Sequence, residues 1–198
     1  MGLVHDFEDG QTPLDEDEKD GLLIPLIHSR GSLDEFEQQN IEKAIEWTYL
    51  KRVSKEELFT EKYIRTLHRK MFAEVWKWAG TFRRTEKSIG IDPLNIAVAL
   101  KQLCDDALYQ IEHKIYSEIE MAIRFKYELV KIHCFANGNG RHSRLIADVI
   151  ISHVFSLPVF TWGRKSASQN SESRNNYLNA LRRADKREID DLIRFALS

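Results

Sequence analysis

The sequence has few cysteines, no surplus of positive charge and no uninterrupted apolar run. Its 198 residues contain 2 cysteines, and 29 Lys and Arg against 31 Asp and Glu give a formal net charge of −2. Two cysteines cannot form a disulfide framework, so we expect Cys104 and Cys134 to be reduced thiols. The balanced charge argues against non-specific nucleic-acid binding, and no nucleic-acid partner is expected.

Signals for membrane insertion and export are missing as well. The longest apolar-rich stretch, LIADVIISHVFSLPVF, is interrupted by Asp148, His153 and Pro158, so no membrane partner is expected. The opening residues, MGLVHDFEDG, lack the basic and apolar regions of a secretory signal. Together these features predict a cytoplasmic protein.

The hydrophobic pattern predicts a mostly helical chain. Residues 1–30 are acidic, or apolar but broken by a proline, and are predicted to form an N-terminal arm. Residues 31–198 are predicted to form a single helical domain, because apolar residues recur in them at helical spacing. Residues 81–92 break that period and predict a short β-hairpin or extended flap around Gly90. The predicted fold class is all-α with a short β-hairpin flap.

One predicted helix begins after Thr60, whose side chain can cap it, and stops at Gly80. On such a helix Trp76 and Trp78 would point to opposite sides. We therefore expect one of the two tryptophans in the core and the other near the flap.

The most informative stretch is KIHCFANGNGRHSRLIAD, residues 131–148. Asn-Gly favours a hairpin turn, but such a turn needs strand patterns on both sides, and both flanks here are helical. The alternative is a loop in which Gly138 and Gly140 adopt left-handed or strained conformations before a helix that begins near Arg141. Backbone N–H groups at a helix N-terminus favour phosphate. Arg141 and Arg144 are three residues apart and reach the same side, so the stretch predicts a polyphosphate site.

His133 ends the preceding helix at the rim of this loop. A neutral imidazole, with a reference pKa of about 6.5, is suited to accept a proton from an attacking hydroxyl. A structural role at the helix end is the alternative for His133. A zinc site is disfavoured because the spacing of the nearby residues fits no usual ligand set. Those residues are His133, Cys134, His142 and His153.

The segment HCFANGNGRHSR resembles the signature of the Fic family, H-x-F-x-[D/E]-G-N-G-R-x-x-R, and matches every fixed position except one. LHRKMFAEVWKWAGTFR is similar to the segment that precedes the Fic flap. The likeness runs from about residue 60 to residue 198. The opening third of the chain resembles a short subgroup called mobile mystery protein B.

This resemblance implies a protein adenylyltransferase, which transfers AMP from ATP to a Ser, Thr or Tyr hydroxyl of a target protein or of itself. His133 would deprotonate the hydroxyl, and Arg141 and Arg144 would hold the β and γ phosphates. The full set of implied nucleotide-binding residues is Asn137, Gly138, Asn139, Gly140, Arg141 and Arg144. The implied target-docking flap residues, which would add the target segment as a strand, are Lys87, Ser88, Ile89 and Gly90. A partly apolar helical surface is compatible with a homodimer.

Asn137 is the one departure from the signature, since the family has Asp or Glu there to hold Mg²⁺. An amide oxygen contributes no net charge, so Mg²⁺ is expected to bind weakly at Asn137 and mainly through the phosphates of ATP. This departure keeps other functions open: transfer of another nucleotide or of phosphate, removal of AMP, or a non-catalytic nucleotide-binding regulatory module.

Many Fic proteins are inhibited by a glutamate that pairs with the second arginine of the signature, here Arg144. The sequence has no clean copy of the inhibitory pattern, [S/T]-x-x-x-E-[G/N]. Glu37 lies five residues after Ser32 and is the predicted inhibitory residue, with Glu35 and Glu42 as rivals. The alternative is that all three are surface glutamates on an amphipathic helix.

Overall fold

The computed structural model of the chain describes residues 19–24, 30–163, 170–186 and 188–198. Its helices, in chain order, are α1 (Arg30–Leu50), α2 (Lys55–Leu58), α3 (Glu61–Phe72), α4 (Ile96–Glu112), α5 (Glu118–Ile132), α6 (Asn139–Val149), α7 (Asn170–Ala184) and α8 (Asp190–Leu197). A 3₁₀ turn (Pro93–Asn95) precedes α4, and a π-helical turn (Ile150–Val154) follows α6.

The predicted all-α fold class is confirmed. Across the described parts of the chain no β-ladder forms, and a single antiparallel bridge joins Leu22 to Trp76. The predicted hairpin at residues 81–92 is not formed, since these residues are bends and irregular backbone. Most of the predicted N-terminal arm, residues 1–18 and 25–29, lies outside the described residues.

Side-chain caps fix where two of the central helices begin. The Thr60 hydroxyl accepts the N–H of Tyr63 at 3.1 Å at the start of α3. The Ser117 hydroxyl accepts the N–H of Glu120 at 3.3 Å at the start of α5. Each cap satisfies an N–H that has no partner within its helix, which stabilises the fold by about 1 kcal/mol.

Helix α3 is shorter than predicted. It ends at Phe72, and the following residues pair with an N-terminal segment: Leu23 N–H donates to the Val75 carbonyl, and Lys77 N–H donates to the Gly21 carbonyl. These backbone bonds replace the helical ones. As a result Trp76 and Trp78 do not lie on opposite sides of a helix but stack, with ring centroids 5.0 Å apart.

Helices α3, α5 and α6 form the centre of the molecule. α5 packs against α4, α6 and α8, while α3 packs against α1, α4 and α6. Phe72 on α3, Phe125 on α5 and Phe135 in the loop after α5 are almost completely buried. The loop between α5 and α6 therefore rests on a rigid aromatic core. None of the helices described here is long and apolar enough to cross a membrane.

Candidate nucleotide-binding and transfer site

His133 stands at the C-terminal end of α5 in a left-handed conformation, with φ 56° and ψ 60°. Such a conformation is uncommon for a residue other than glycine and needs support from its surroundings. Arg83 provides it, because its Nε donates to the His133 carbonyl at 2.6 Å. Burial, followed by the charges of Arg83 and Lys87, lowers the pKa of His133 to about 4. The imidazole is therefore neutral at pH 7.

The loop after His133 contains two glycines, and only Gly138 stands where a larger residue would not fit. Gly138 has φ +78° and begins α6, and a Cβ added there would lie 2.6 Å from the ring of Phe72. Gly140 behaves differently from the expectation. It is not left-handed but lies in the first turn of α6, and a Cβ added to it would meet nothing within 4 Å. Gly140 thus leaves open space beside the N–H groups of the helix start.

The two asparagines of the loop hold its shape. Asn139 Oδ1 accepts the N–H of Phe135 at 2.9 Å, and Asn139 Nδ2 donates to the Phe135 carbonyl at 2.8 Å. Asn137 Oδ1 accepts the N–H of Gly138 at 2.5 Å. The buried Asn139 side chain therefore closes the loop. What Asn139 can contribute to anion binding is its backbone N–H, which lies in the first turn of α6.

The two signature arginines have different neighbours. Arg141 Nη1 lies 2.6 Å from Glu37 Oε2, and its guanidinium carbon is 5.0 Å from the centre of the Phe72 ring. Arg144 bonds to the carbonyl of Gly140 and lies 5.4 Å from the centre of the Tyr177 ring. Both guanidinium groups are thus beside the first turn of α6.

Glu37 is the glutamate of α1 that reaches this site. Its side chain is only 3% exposed, and its second oxygen accepts Trp76 Nε1–H at 2.5 Å. Glu35 and Glu42 are exposed to solvent. The interpretation of Glu37 as a surface glutamate is therefore wrong. Its partner is Arg141, the first arginine of the signature, and not Arg144 as the resemblance implies.

Residues 81–92 form a flap that is tied to the His133 backbone. Arg83 is buried, and its guanidinium donates to the carbonyls of Thr85 and Ile91 as well as to that of His133. These bonds bring the two ends of the flap together without a ladder of strand pairs, which explains the missing hairpin. Gly90, at φ +107°, approaches His133 so closely that a Cβ added there would lie 2.7 Å from the His133 Cβ.

The tip of the flap faces solvent. Ser88 and Ile89 are exposed, and Lys87 is half-buried. All four predicted docking residues lie in this flap, and Gly90 is the one that directly approaches His133, the predicted base. The structure therefore brings together the residues that the sequence assigned to the site: the flap, His133, the loop, both arginines and Glu37.

Sequence reasoning missed three residues that build the site: Arg83, Trp76 and His68. Each is almost completely buried and uses its side chain to bond to the loop, to the flap or to Glu37. In the sequence, the only feature that could have marked these three residues is that each carries a polar atom at a position that is buried in the fold. Such a position cannot be found without knowing which backbone groups face it.

The donor set around the loop does not form a protein-only Mg²⁺ site. Searched over the residues that the structure describes, the chain has no group of three or more His, Cys, Asp or Glu able to hold a metal ion. The Asn137 amide oxygen carries no net charge and already accepts the Gly138 N–H. Mg²⁺ prefers carboxylate and phosphate oxygens, so these residues alone do not fit it.

Comparison with known proteins shows which family this chain resembles in sequence and fold. A model of the Fic/DOC family matches residues 58–151. Protein adenylyltransferase Fic of Aedes aegypti is 25% identical over 170 residues, which are 83% of this chain and 32% of that protein. The protein of the same name from Drosophila grimshawi is 30% identical over 146 residues, which are 69% of this chain and 27% of that protein. The chain thus spans about a third of the length of these curated relatives.

Solved structures show the same fold. Fic-1 from C. elegans superposes with a TM-score of 0.68 at 24% identity, covering 90% of this chain and 51% of that one. BepC from Bartonella tribocorum, solved with bound AMPPNP, superposes with a TM-score of 0.68 at 17% identity, covering 91% and 96%. With the signature loop, the flap and the helices around them in the expected places, residues 58–151 of this chain belong to the Fic/DOC family.

Proposed function

We propose that the chain is a protein adenylyltransferase that transfers AMP from ATP to a hydroxyl of a target protein or of itself. The names of its relatives support this activity, and the ATP analogue bound to BepC supports ATP as the substrate. The observation that carries the proposal is the neutral imidazole of His133 directly before a loop that is followed by Arg141 and Arg144.

In the proposed reaction His133 is the general base. The target hydroxyl attacks the α-phosphorus of ATP and its proton passes to the imidazole. The new bond joins the target oxygen to the α-phosphorus, and the bond from that phosphorus to the bridging oxygen breaks, so pyrophosphate leaves. A positioned base of this kind contributes about 10²- to 10⁴-fold to the rate.

The phosphates would lie over the start of α6. Backbone N–H groups of the first turn, next to the open side of Gly140, would donate to them. Arg141 and Arg144 would bind the departing β and γ phosphates, where negative charge increases during the reaction. The flap, held by Arg83 beside His133, would align the target segment so that its hydroxyl reaches the α-phosphorus.

We further propose that Glu37 keeps the site in an inhibited state. Its carboxylate bonds to Arg141 Nη1, a donor that would also bind a phosphate in the proposed reaction, and the Trp76 N–H holds the carboxylate there. ATP would have to displace this carboxylate to use Arg141. The buried position of Glu37 makes the competition strong, because charge-assisted hydrogen bonds are worth more away from water.

The proposed reaction also has to account for Mg²⁺. If Mg²⁺ enters with ATP, it would be held by phosphate oxygens, and Asn137 would offer only its amide oxygen. A non-catalytic nucleotide-binding module is the second candidate function, and the uncharged Asn137 is the observation that favours it. A test of transfer needs a source of acceptor hydroxyls, which belong to a target protein or to the chain itself.

ATP labelled separately at the α and γ positions distinguishes these functions. Wild type, Glu37→Gly and the double variant Glu37→Gly with His133→Ala would be incubated with each label and a cell extract as a source of targets, with and without Mg²⁺, and scored for label on protein. AMP transfer predicts α label alone, lost in the double variant. Label from γ alone would mean phosphate transfer. Nucleotide binding without label from either position would favour the binding module, or a different nucleotide as donor.

A further inference from the structure

His68, on α3, connects the loop to the start of the flap. Its Nε2 lies 3.0 Å from the carbonyl oxygen of Asn137, and its Nδ1 lies 3.0 Å from the backbone nitrogen of Gly80. The side chain is completely buried. A single imidazole therefore contacts two segments that are far apart in the sequence, one before the signature helix and the other three residues before Arg83.

The two partners determine which nitrogen carries the proton. Gly80 offers an N–H, so Nδ1 must be the acceptor, and Asn137 offers a carbonyl, so Nε2 must be the donor. Only the neutral tautomer with hydrogen on Nε2 satisfies both bonds. Burial, and then the neighbouring His142, hold the pKa of His68 well below its usual value of 6.5, which agrees with a neutral ring.

The bond to Asn137 fixes the orientation of the peptide that joins Asn137 to Gly138. In a planar trans peptide the C=O and the next N–H point in opposite directions. Because His68 holds the Asn137 carbonyl towards the core, the N–H of Gly138 must point away from the core, where Asn137 Oδ1 accepts it. The ring of His68 is itself fixed, since it stacks on Phe135 with centroids 3.7 Å apart and planes at 20°.

The bond to Gly80 fixes the turn that precedes the flap. Gly80 has φ +74°, and its carbonyl accepts Arg65 Nε–H at 2.9 Å while its N–H donates to His68. Both polar groups of Gly80 are thus held by side chains of α3. The turn at Gly80 sets the direction in which the chain enters the flap.

We infer that His68 is a positioning residue that sets the nucleotide loop and the flap relative to each other, by holding the Asn137 carbonyl and the Gly80 N–H on the two nitrogens of one buried ring. Its role in positioning rests on the proposed function, in which the loop binds ATP and the flap binds the target. The two bonds themselves can be tested without any nucleotide.

Two substitutions separate the two bonds. In His68→Gln the amide reaches the place of Nε2 and can donate to Asn137, but nothing accepts the Gly80 N–H. In His68→Asn the amide oxygen reaches the place of Nδ1 and can accept from Gly80, but nothing donates to Asn137. Hydrogen exchange of residues 81–92 and 135–140 is the measurement. The Gln variant should exchange faster in residues 81–92 alone, and the Asn variant should exchange faster in residues 135–140 alone. The expected acceleration is about 2- to 10-fold, which corresponds to the loss of one neutral hydrogen bond.

His142→Gln is the matched control. His142 is also a buried imidazole, and its Nε2 bonds to the carbonyl of Ile64, within the helical core. Its ring also contacts Phe135 and His68, so this variant should lose stability and speed exchange in residues 135–140, without the selective effect on residues 81–92 expected of His68→Gln. Equal acceleration of both segments in both His68 variants would overturn the inference.

A measurement on the wild type covers the case in which the variants do not fold. The imidazole nitrogen signals in an ¹⁵N NMR spectrum report which nitrogen is protonated. Hydrogen on Nε2 alone supports the inference, and hydrogen on Nδ1 contradicts it. If AMP transfer is also established, the Gln variant should raise the KM for the target with little change in ATP affinity, and the Asn variant should do the reverse.

Discussion

The carboxylate of Glu37 lies between Arg141 Nη1, at 2.6 Å, and Trp76 Nε1, at 2.5 Å. This arrangement ties α1 to the first turn of α6 and to the turn after α3. Because one partner is a signature arginine, the position of α1 and the availability of Arg141 are coupled. Any movement of α1 away from the site would release the guanidinium.

Removing the Glu37 side chain should therefore activate the protein. We expect Glu37→Gly to increase ATP affinity about 10- to 100-fold, the range for one charge-assisted hydrogen bond, and to increase label transfer. The same change should cost about 2–4 kcal/mol of unfolding free energy, because it leaves the Trp76 N–H unsatisfied and places glycine in a helix. Titration calorimetry with ATP and denaturant unfolding measure the two effects.

Glu42→Gly controls for the helix change. Glu42 lies on the same helix and is exposed, and its carboxylate accepts a hydrogen bond from the Gln38 side chain. It should lose about 1 kcal/mol of stability with no change in ATP affinity. Equal ATP affinity in Glu37→Gly and Glu42→Gly would mean that Glu37 does not compete with the nucleotide.

As the pH is lowered, the transfer rate should begin to fall only at an unusually acidic pH. His133 acts as a base only when neutral, and its pKa is lowered to about 4. At saturating ATP, where the titration of free ATP adds no limb of its own, kcat/KM for the target should therefore stay level from pH 7 down to about 5 and fall through pH 4. Since the charge of Lys87 contributes to the lowered pKa, Lys87→Met should move the limb to higher pH. A wild-type limb near pH 6.5 would contradict the buried, neutral base.

Replacing Arg83 with lysine should loosen the flap. A lysine keeps the charge but cannot bond at once to the carbonyls of His133, Thr85 and Ile91. We expect about 1–3 kcal/mol of lost stability and a raised KM for the target, with ATP affinity nearly unchanged. Arg84→Lys is the matched control, because Arg84 is exposed and adjacent. Similar KM values in the two variants would show that the clamp does not order the flap.

Asn137→Asp tests the departure from the signature. Aspartate has the same shape and can still accept the Gly138 N–H, so the loop should keep its conformation. The added carboxylate should increase Mg²⁺-dependent transfer by about tenfold. Transfer rates measured across a Mg²⁺ titration give the answer. A variant that binds ATP but shows no metal response would favour the regulatory-module function.

Much of this site could be read from the sequence because its parts are local. The loop and both arginines fall within twelve residues, and backbone rules link Asn-Gly repeats and a helix start to phosphate. Helical spacing likewise predicted most of the fold. The assignment of Glu37 came from its position on a helix before the core, and the structure places that side chain at Arg141.

The remaining features depend on contacts between distant segments. The end of α3 at Phe72 follows from backbone pairing with residues 21–23, which no local pattern reveals. The hairpin prediction failed because Arg83 supplies the bonds that a strand ladder would have made. His68 and Trp76 have roles only because Gly80, Asn137 and Glu37 lie beside them in the fold.

The most direct test of the proposed transfer is intact-mass measurement of the Glu37→Gly protein after incubation with ATP, alone and with a cell extract as a source of targets. We expect a mass gain of one AMP on the protein or on an extract protein, and none when His133→Ala is added to the Glu37→Gly background. A gain of one phosphate, or a gain of AMP that persists without His133, would contradict it.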